Sequence, residues 1–372
     1  MKALILSCNT GQGHNTAGRA VLEALHDRGV EAEMHDALSF GGRRTSVVVS
    51  SGYVKMTQFS PHMFGRLYKA GAMISNPRFK SPVYYANTLY AEHLSAFIKN
   101  NGFTTVLCPH LFPAEALTYL RKHNGLKVRV YGIATDYTCT PFWEETDVDV
   151  FFIPHAALRA QYEHKGFAPE RLVETGIPVS RTFAGRLNRQ EARGRLGLDM
   201  DKRYFLILGG SMGFGDVPDI AAHILNLGGP DVGVLVLVGT NKRLKARLAE
   251  RFGNDARLTP VDYTTRVADF MDACDVTLTK PGGLTSTEAA AKNVPFVHTA
   301  PIPGCETENA RFFGPLGMSL PTETPLESAQ AALLLSLSKP LRERLTAAQR
   351  KNVPPRAADA IVDWLLEHEG EA

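Results

Sequence analysis

The 372-residue sequence predicts an α/β protein made of two similar halves, each with a parallel sheet covered by helices. Short apolar runs such as "ALIL", "TTVLC" and "DVFFIP" alternate with longer amphipathic segments, which is the pattern of βαβ units. The alternation begins again after residue 180 with "YFLILGGSMG", "GVLVLVG" and "DVTLTK". A glycine-rich stretch follows the first strand of each half, at the sheet edge where α/β proteins bind ligands.

The composition indicates a large core and little overall charge. Hydrophobic residues make up 44% of the chain and the formal net charge is +3, which does not by itself favour nucleic acid. The five cysteines lack the close pairing of a zinc site, as expected in a reducing compartment. Neither a signal peptide nor a run of about 18 apolar residues is present, so we expect a cytoplasmic protein without a membrane-spanning segment.

The first glycine stretch, "SCNTGQGHNTAGRA" at residues 7–20, leaves three interpretations open. It matches the dinucleotide fingerprint in part, because Thr16 replaces the third glycine while Asp36 lies at the distance of a ribose-binding acid. It also fits a purely structural turn in which Asn15 or Thr16 caps the helix. In the third interpretation His14 is a general base, since an imidazole titrates near neutral pH.

The second glycine stretch, "LGGSMGFG", opens the second half. Its backbone N–H groups suit a phosphate, because no side chains stand in the way. The same letters contain G-x-S-x-G, the nucleophile elbow of esterases, so a serine hydrolase using Ser211, a later aspartate and His298 stays open. A structural turn is equally compatible with the pattern.

The third stretch runs from "DVTLTKPGGLTSTEAAAKNVPF" to "GCETENARFF". A strand ends at Lys280, and after a Pro-Gly-Gly turn we expect a helix that begins at residues 285–287 and has Glu288 in its first turn. A carboxylate placed there can accept both hydroxyls of a ribose, although the same pattern describes an ordinary capping box. The next helix begins with further groups suited to sugar hydroxyls: Glu306, Glu308 and Asn309.

Together these stretches resemble the glycosyltransferase family that includes plant monogalactosyldiacylglycerol synthase and bacterial processive diacylglycerol glucosyltransferase. The peptidoglycan N-acetylglucosaminyltransferase is a more distant relative. The matching pieces occur in family order within residues 1–313, among them "LILSCNTGQGHNTAGRAVLEAL", "PHLFPAEAL", "ATDYTCTPFW", "ETGIPVS" and "LGGSMG". The resemblance implies a GT-B fold, in which two Rossmann-like domains face each other across a cleft.

The resemblance also implies a role for each segment. Residues 1–180 would form the acceptor and membrane domain, residues 181–350 the UDP-sugar domain, and residues 351–372 a helix that returns to the first domain. Glu288 matches the ribose-binding acid and His14 the proposed catalytic base, and we name Asp136 as the candidate that orients His14. The other implied donor contacts are Gly210, Ser211, Gly282, Gly283, Leu284 and Thr285 beside the phosphates, Glu306, Glu308 and Asn309 at the sugar, and Tyr263 and Thr264 at the uracil.

The sequence departs from the family pattern at three places, namely Gln12, Thr140 and Cys305. Cys305 stands where the sugar motif more often has glutamine, so the sequence does not decide between UDP-glucose and UDP-galactose. We expect an inverting transfer to diacylglycerol at the cytoplasmic membrane face. No metal or other cofactor is expected, because helix and glycine N–H groups can stabilise the UDP leaving group. A UDP-sugar or lipid sensor without turnover, which would keep the fold, stays open as a further class.

Residues 41–91 contain seven Lys or Arg and no Asp or Glu. We call them the acid-free stretch. Their cations alternate with apolar and aromatic side chains, which favours contact with anionic lipid; a core helix pair with a chance charge bias is the alternative. Nucleic acid is not expected, since base-stacking modules are not evident. The cations of the stretch are Arg43, Arg44, Lys55, Arg66, Lys69, Arg78 and Lys80.

Overall fold

The computed structural model contains two compact units. It describes residues 1–9, 12–42, 71, 80–209, 216–253 and 255–368. The first unit consists of Met1–Ser180, Pro303–Cys305 and Arg356–Ala372. The second unit consists of Arg181–Ile302 and Glu306–Pro355.

The described part of the first unit has a six-stranded sheet of order β2-β1-β3-β4-β5-β6, in which every pair is parallel. Its strands are β1 (Lys2–Ser7), β2 (Glu31–Asp36), β3 (Thr105–Cys108), β4 (Arg129–Ile133), β5 (Val150–Ile153) and β6 (Leu172–Glu174). The central strands are buried on both faces, as expected for a sheet covered by helices on either side.

The second unit has a six-stranded parallel sheet of order β12-β11-β10-β7-β8-β9 among its described residues. Its strands are β7 (Arg203–Leu208), β8 (Val232–Gly239), β9 (Leu258–Asp262), β10 (Val276–Thr279), β11 (Phe296–His298) and β12 (Leu320–Pro321). The sequence prediction of an α/β protein with two parallel sheets is therefore confirmed.

Helices connect most of the strands, and the following α-helices have bounds within the described residues. In chain order they are α1 (Gln12–Asp27), α2 (Pro82–Thr88), α3 (Ala91–Asn101), α4 (Leu111–Asn124), α5 (Arg159–His164), α6 (Arg189–Leu196), α7 (Val217–Gly228), α8 (Lys242–Phe252), α9 (Val267–Ala273), α10 (Gly283–Ala291), α11 (Cys305–Phe313), α12 (Pro325–Leu337), α13 (Lys339–Asn352) and α14 (Ala357–Glu367). Within the described ranges, no helix is long and apolar enough to cross a membrane.

The strand orders place one topological switch point in each sheet. In the first unit, the chain continues on one side of β1 to β2 and then on the other side to β3. In the second unit, β7 lies between β8 and β10 in the same way. The two connections leaving such neighbouring strands turn to opposite sides of the sheet, so a crevice opens outside their carboxyl ends.

The last helix, α14, packs on α1 and belongs to the core of the first unit. Ile361, Val362 and Leu365 are buried there among the side chains of α1 and the sheet. Arg28, near the end of α1, donates hydrogen bonds to Asp359 at 2.9 Å and to Asp363 at 2.6 Å. Residues that follow the second unit in the chain thus complete the hydrophobic core of the first.

We predict that Ile361→Ala destabilises the first unit by roughly 2–4 kcal/mol, because it removes a fully buried side chain and leaves a cavity. Leu366→Ala on the same helix is the matched control, since Leu366 is 36% exposed and its loss should cost less, about 1 kcal/mol. Urea denaturation followed by tryptophan fluorescence measures both. Equal losses for the two variants would contradict the packing of α14 described above.

Candidate functional site

His14 lies in the first turn of α1, at the carboxyl edge of the first sheet. The helix begins at Gln12, so the expectation that Asn15 or Thr16 caps it is wrong. Asn15 is buried inside the helix, and its Nδ2 donates to Asn9 Oδ1 at 2.7 Å. His14 is therefore held by regular helix, next to the end of β1.

The hydrogen bonds of His14 define its tautomer. Its Nδ1 lies 2.9 Å from the carbonyl oxygen of Pro109 and 2.9 Å from Thr135 Oγ1. A carbonyl oxygen can only accept, so Nδ1 carries the proton and Nε2 keeps its lone pair. Burial lowers the pKa of His14 from the ordinary value of 6.5, and the hydrogen bond to Pro109 opposes this shift. His14 is thus neutral at neutral pH and has a basic nitrogen.

The residues that contact His14 are not the ones that the sequence predicted. Asp136 directly follows Thr135 but makes no hydrogen bond to His14, so the orienting hydroxyl belongs to the preceding residue. A role for Asp136 in the reaction stays a prediction. His110, which sequence reasoning missed, packs its ring edge-to-face against that of His14, with the ring centroids 4.6 Å apart. The sequence signal that could have identified His110 is its position directly after β3, at the same sheet edge as the first glycine stretch.

Asp36 does not have the free carboxylate that a nicotinamide cofactor would need. Its Oδ2 accepts from Asn9 Nδ2 at 2.8 Å, and its Oδ1 accepts from the backbone N–H of Leu38 at 3.1 Å. Both oxygens hold the end of β2 and the turn after it. The dinucleotide interpretation of the first glycine stretch therefore loses its ribose-binding residue.

In the second unit, α10 begins earlier than the sequence predicts. Gly282 is its N-cap and Gly283 its first residue, so Glu288 lies in the second turn and the capping-box interpretation is wrong. The N–H groups of Gly283, Leu284 and Thr285 occupy the first turn, where a helix offers no internal partner. A Cβ added at Gly282 would meet nothing within 4 Å, so a ligand can approach this backbone closely.

Glu288 is a buried acid without a counter-ion. Its side chain has no hydrogen bond or ion pair to any residue that the structure describes, and it is only 9% exposed. Burial alone raises the pKa of Glu288 to about 8. A buried carboxyl group is costly when nothing pairs with it, and its strongly raised pKa makes Glu288 a candidate functional residue.

Lys280, at the end of β10, is a cation that sequence analysis did not assign to the site. Its Nζ lies 2.6 Å from Glu306 Oε1, and the other oxygen of Glu306 accepts from the N–H of Ile302 at 2.9 Å. Lys280 also lines a small cavity with Leu208, Thr279 and Thr299, at the carboxyl ends of β7, β10 and β11. Glu306 therefore supports Lys280 in this structure, and both of its oxygens are engaged.

Of the six remaining predicted donor residues, the structure describes four. The amide of buried Asn309 donates to the Pro281 carbonyl at 3.0 Å and so fixes the Pro-Gly-Gly turn, while Glu308 pairs with Arg311 on the helix surface at 2.7 Å. Tyr263 and Thr264 follow β9, farther along the same sheet edge, where Tyr263 is 74% exposed. Gly210 and Ser211 lie outside the described residues.

His298 has no free ring nitrogen for a serine hydrolase. Its Nε2 lies 2.9 Å from Ser286 Oγ and its Nδ1 lies 3.0 Å from Ser319 Oγ. The ring is buried, and this burial lowers the pKa of His298 to about 3. The hydrolase interpretation therefore loses its base. Among the described residues, no group of three or more His, Cys, Asp or Glu is arranged to hold a metal ion.

The chain is similar in sequence to known glycosyltransferases. The family model for monogalactosyldiacylglycerol (MGDG) synthase matches residues 14–179. The processive diacylglycerol beta-glucosyltransferase of Bacillus cytotoxicus is 28% identical over 370 residues, which cover 98% of this chain and 93% of the relative. The resemblance to this glycosyltransferase family is confirmed.

Two solved structures share their fold with nearly the whole chain. MurG of Acinetobacter baumannii superposes with a TM-score of 0.62 at 17% identity, over 98% of this chain and 99% of its own. The UDP-GlcNAc 2-epimerase of Neisseria meningitidis, bound to UDP-GlcNAc, superposes with a TM-score of 0.62 at 13% identity, over 99% and 100%. The predicted GT-B fold is confirmed. The chain is therefore similar in sequence to the processive diacylglycerol glucosyltransferases and has the GT-B fold.

We predict that Glu288→Gln stabilises the protein increasingly as the pH rises from about 4.5 to about 8. In this range the unfolded carboxyl group loses its proton while the folded one keeps it, so wild-type stability falls with pH by on the order of 1.4 kcal/mol per pH unit. Glutamine has no such proton to lose. Thermal unfolding at pH 5 and pH 8 measures the effect.

Glu343→Gln is the matched control, because Glu343 is exposed on α13 and the same substitution there should give no pH-dependent difference. A melting-temperature difference between Glu288→Gln and wild type that is the same at both pH values would refute the account of Glu288 as a buried, unpaired acid.

Proposed function

We propose that the protein transfers a hexose from a UDP-sugar to diacylglycerol or a glycosyl-diacylglycerol, with inversion at the sugar carbon. The observation that carries this proposal is Glu288, a buried carboxyl group without a partner, on the helix whose N-terminus lies at the switch point of the second sheet. The names of the relatives support the substrate classes.

The donor would bind along the start of α10. The free N–H groups of the first turn and the helix dipole suit the diphosphate, and the ammonium group of Lys280, held by Glu306, can donate further hydrogen bonds nearby. The ribose hydroxyls would donate to Glu288, which would then ionise because it gains hydrogen bonds to its charged form. These groups stabilise the departing UDP without a metal ion, and we propose that none is required.

His14 would act as the catalytic base. Its Nε2 has the lone pair that the acceptor hydroxyl needs, since Nδ1 is committed to Pro109. Proton removal by His14 makes the hydroxyl oxygen nucleophilic as it attacks the sugar C1 from the face opposite the UDP. A single displacement of this kind inverts the configuration. Glucose is the hexose to test first, because the relatives are named as glucosyltransferases.

The acceptor would be reached at the cytoplasmic face of the membrane. The acid-free stretch supports this, and its described end exposes apolar surface: Tyr85 is 62% and Leu89 84% exposed. Most of its cations lie outside the described residues. The sequence predicted that Lys80 takes part in this contact. Lys80 is instead half-buried, and its Nζ donates to the backbone carbonyl of Glu145, so we leave it out of the proposed contact.

We predict that His14→Ala lowers kcat at least about a hundredfold and leaves the Kd for UDP-glucose within about twofold, because only the general base is lost. Glu288→Gln should instead weaken UDP-glucose binding by about 2 kcal/mol. Mass spectrometry of the glycolipid product and calorimetry of UDP-glucose binding measure the two effects separately. His123→Ala is the control for His14, because His123 is exposed on α4 of the same unit.

Near-wild-type turnover of His14→Ala would remove that residue from the reaction, and unchanged affinity of Glu288→Gln would remove the donor assignment. Wild-type binding of UDP-glucose without any glycolipid product, from either UDP-glucose or UDP-galactose, would identify a sensor and contradict the proposed transferase.

We predict that reversing Arg66, Lys69 and Arg78 to Glu weakens binding to anionic vesicles about a hundredfold, since each cation near such a surface contributes about 1 kcal/mol. Vesicle sedimentation at low and high salt measures this, and salt should weaken wild-type binding. The affinity for UDP-glucose should not change. The control reverses three cations on α13 instead, namely Lys339, Arg344 and Lys351. Equal loss in both triple variants would assign the effect to net charge and contradict a specific contact.

A further inference from the structure

We infer that His110 is a positioning residue for the proposed base, holding the His14 ring in one orientation with Nε2 as its reactive nitrogen. This inference rests on the proposed function, because it concerns how His14 is kept ready for proton removal. His110 lies directly after β3, so the end of the strand next to β1 supplies both Pro109 and His110 to the same imidazole.

The contacts of His14 are of two kinds, and they constrain different motions. Pro109 O and Thr135 Oγ1 both lie 2.9 Å from Nδ1, so they fix the position of that atom. These two contacts do not prevent rotation of the His14 ring about Nδ1, and such a rotation would move Nε2. The ring of His110 stands at 76° to that of His14 with the centroids 4.6 Å apart, and this contact blocks the swing on one side.

His110 is itself held rigidly enough to do this. It is the N-cap of α4, and its Nδ1 accepts the backbone N–H of Phe112 at 3.2 Å. Its ring also packs edge-to-face on Phe112, with the centroids 4.6 Å apart, and the residue is buried. The accepting Nδ1 places the proton of the neutral ring on Nε2. The helix N-terminus therefore fixes His110, and His110 fixes His14.

The electrostatics of the pair agree with this arrangement. Burial, and secondarily the neighbouring His14, hold the pKa of His110 well below 6.5, so a second cation does not form beside the base. The end of β3 faces His14 with a carbonyl, the end of β4 with the Thr135 hydroxyl followed by Asp136, and α4 with the titratable ring of His110. His110 thus also keeps water from part of the His14 ring, which contributes to the lowered pKa of His14.

Loss of the ring contact between His110 and His14 should slow the chemical step and leave UDP-sugar binding unchanged. A base displaced by about 1 Å can cost up to a hundredfold in rate, because proton transfer needs a short, aligned contact. The proposed donor residues lie in the second unit, so the KM for UDP-glucose should not depend on His110. This separation distinguishes a positioning role from a general loss of fold.

The test compares His110→Asn with His123→Asn in the whole 372-residue chain. Asparagine keeps a side-chain acceptor for the helix cap but removes the ring. We expect His110→Asn to lower kcat about tenfold, to leave the KM for UDP-glucose within about twofold, and to move the acid limb of the pH–kcat profile upward towards pH 6.5. His123→Asn is the same change at an exposed position of α4. It should match wild type in kcat, in the KM for UDP-glucose and in the pH–kcat profile.

His110→Phe is the complementary variant. It keeps an aromatic ring beside His14 and loses the cap, so it should unfold at a lower temperature than wild type and yet retain more kcat than His110→Asn. A readout without turnover is the nitrogen NMR spectrum of ¹⁵N-histidine-labelled protein, with the His14 signals assigned by their absence in His14→Ala. Wild type should show the Nδ1–H tautomer, and the pKa of His14 should rise in His110→Asn.

The inference would be overturned if His110→Asn kept wild-type kcat and an unchanged His14 titration, or if it lost stability with no change in the pH profile. Failure of the proposed function is distinguishable, because then either His14→Ala would turn over normally or wild type would form no glycolipid, whatever His110 does. If His14→Ala is inactive and His110→Asn is unaffected, the base assignment stands and only the positioning role fails.

Discussion

The parallel arrangement of the strands is the constraint on which the candidate sites depend. Because all strands of a sheet point the same way, residues far apart in sequence emerge at one edge, and the switch points at β1/β3 and β7/β10 open a crevice there. His14, Pro109 and Thr135 meet at the first edge although up to 121 positions separate them. Lys280 and the start of α10 follow β10 at the second edge.

Desolvation then sets the charge of both sites, and it acts in opposite directions on the two principal groups. Removing water disfavours the charged form, so the pKa of His14 falls while that of Glu288 rises to about 8. Both groups are therefore mainly neutral at pH 7 in the free protein. A neutral imidazole is the form that can accept a proton. A neutral carboxyl group costs less to bury and ionises when hydrogen-bond donors reach it.

The sequence predicted the two sheets, the strand ends and His14 and Glu288 as candidates, because apolar periodicity and glycine turns are local signals. It misplaced the starts of α1 and α10, since Gln12 and Gly283 show no capping side chain and the glycine backbone leaves the boundary undefined. The position of His110 directly after β3 puts it at the sheet edge of His14, but the sequence did not predict that Thr135 and His110 contact His14 or that Lys280 pairs with Glu306. These contacts join separate strands, and no spacing along the chain encodes them.

The hydrogen-bond partners of each side chain distinguish structural residues from candidate ligand contacts, which motif spacing alone does not. Asp36 and His298 both satisfied a motif, yet each has its two polar atoms occupied by neighbouring groups and stabilises a strand end. Glu288 satisfied two competing motifs, and its position in the second turn of α10 without a described partner excludes the capping box, while the ribose contact stays a proposal. In the His14 ring the two nitrogens differ in the same way: Nδ1 is held by Pro109 and Thr135, and Nε2 has no partner among the described residues, which is why we propose it as the base.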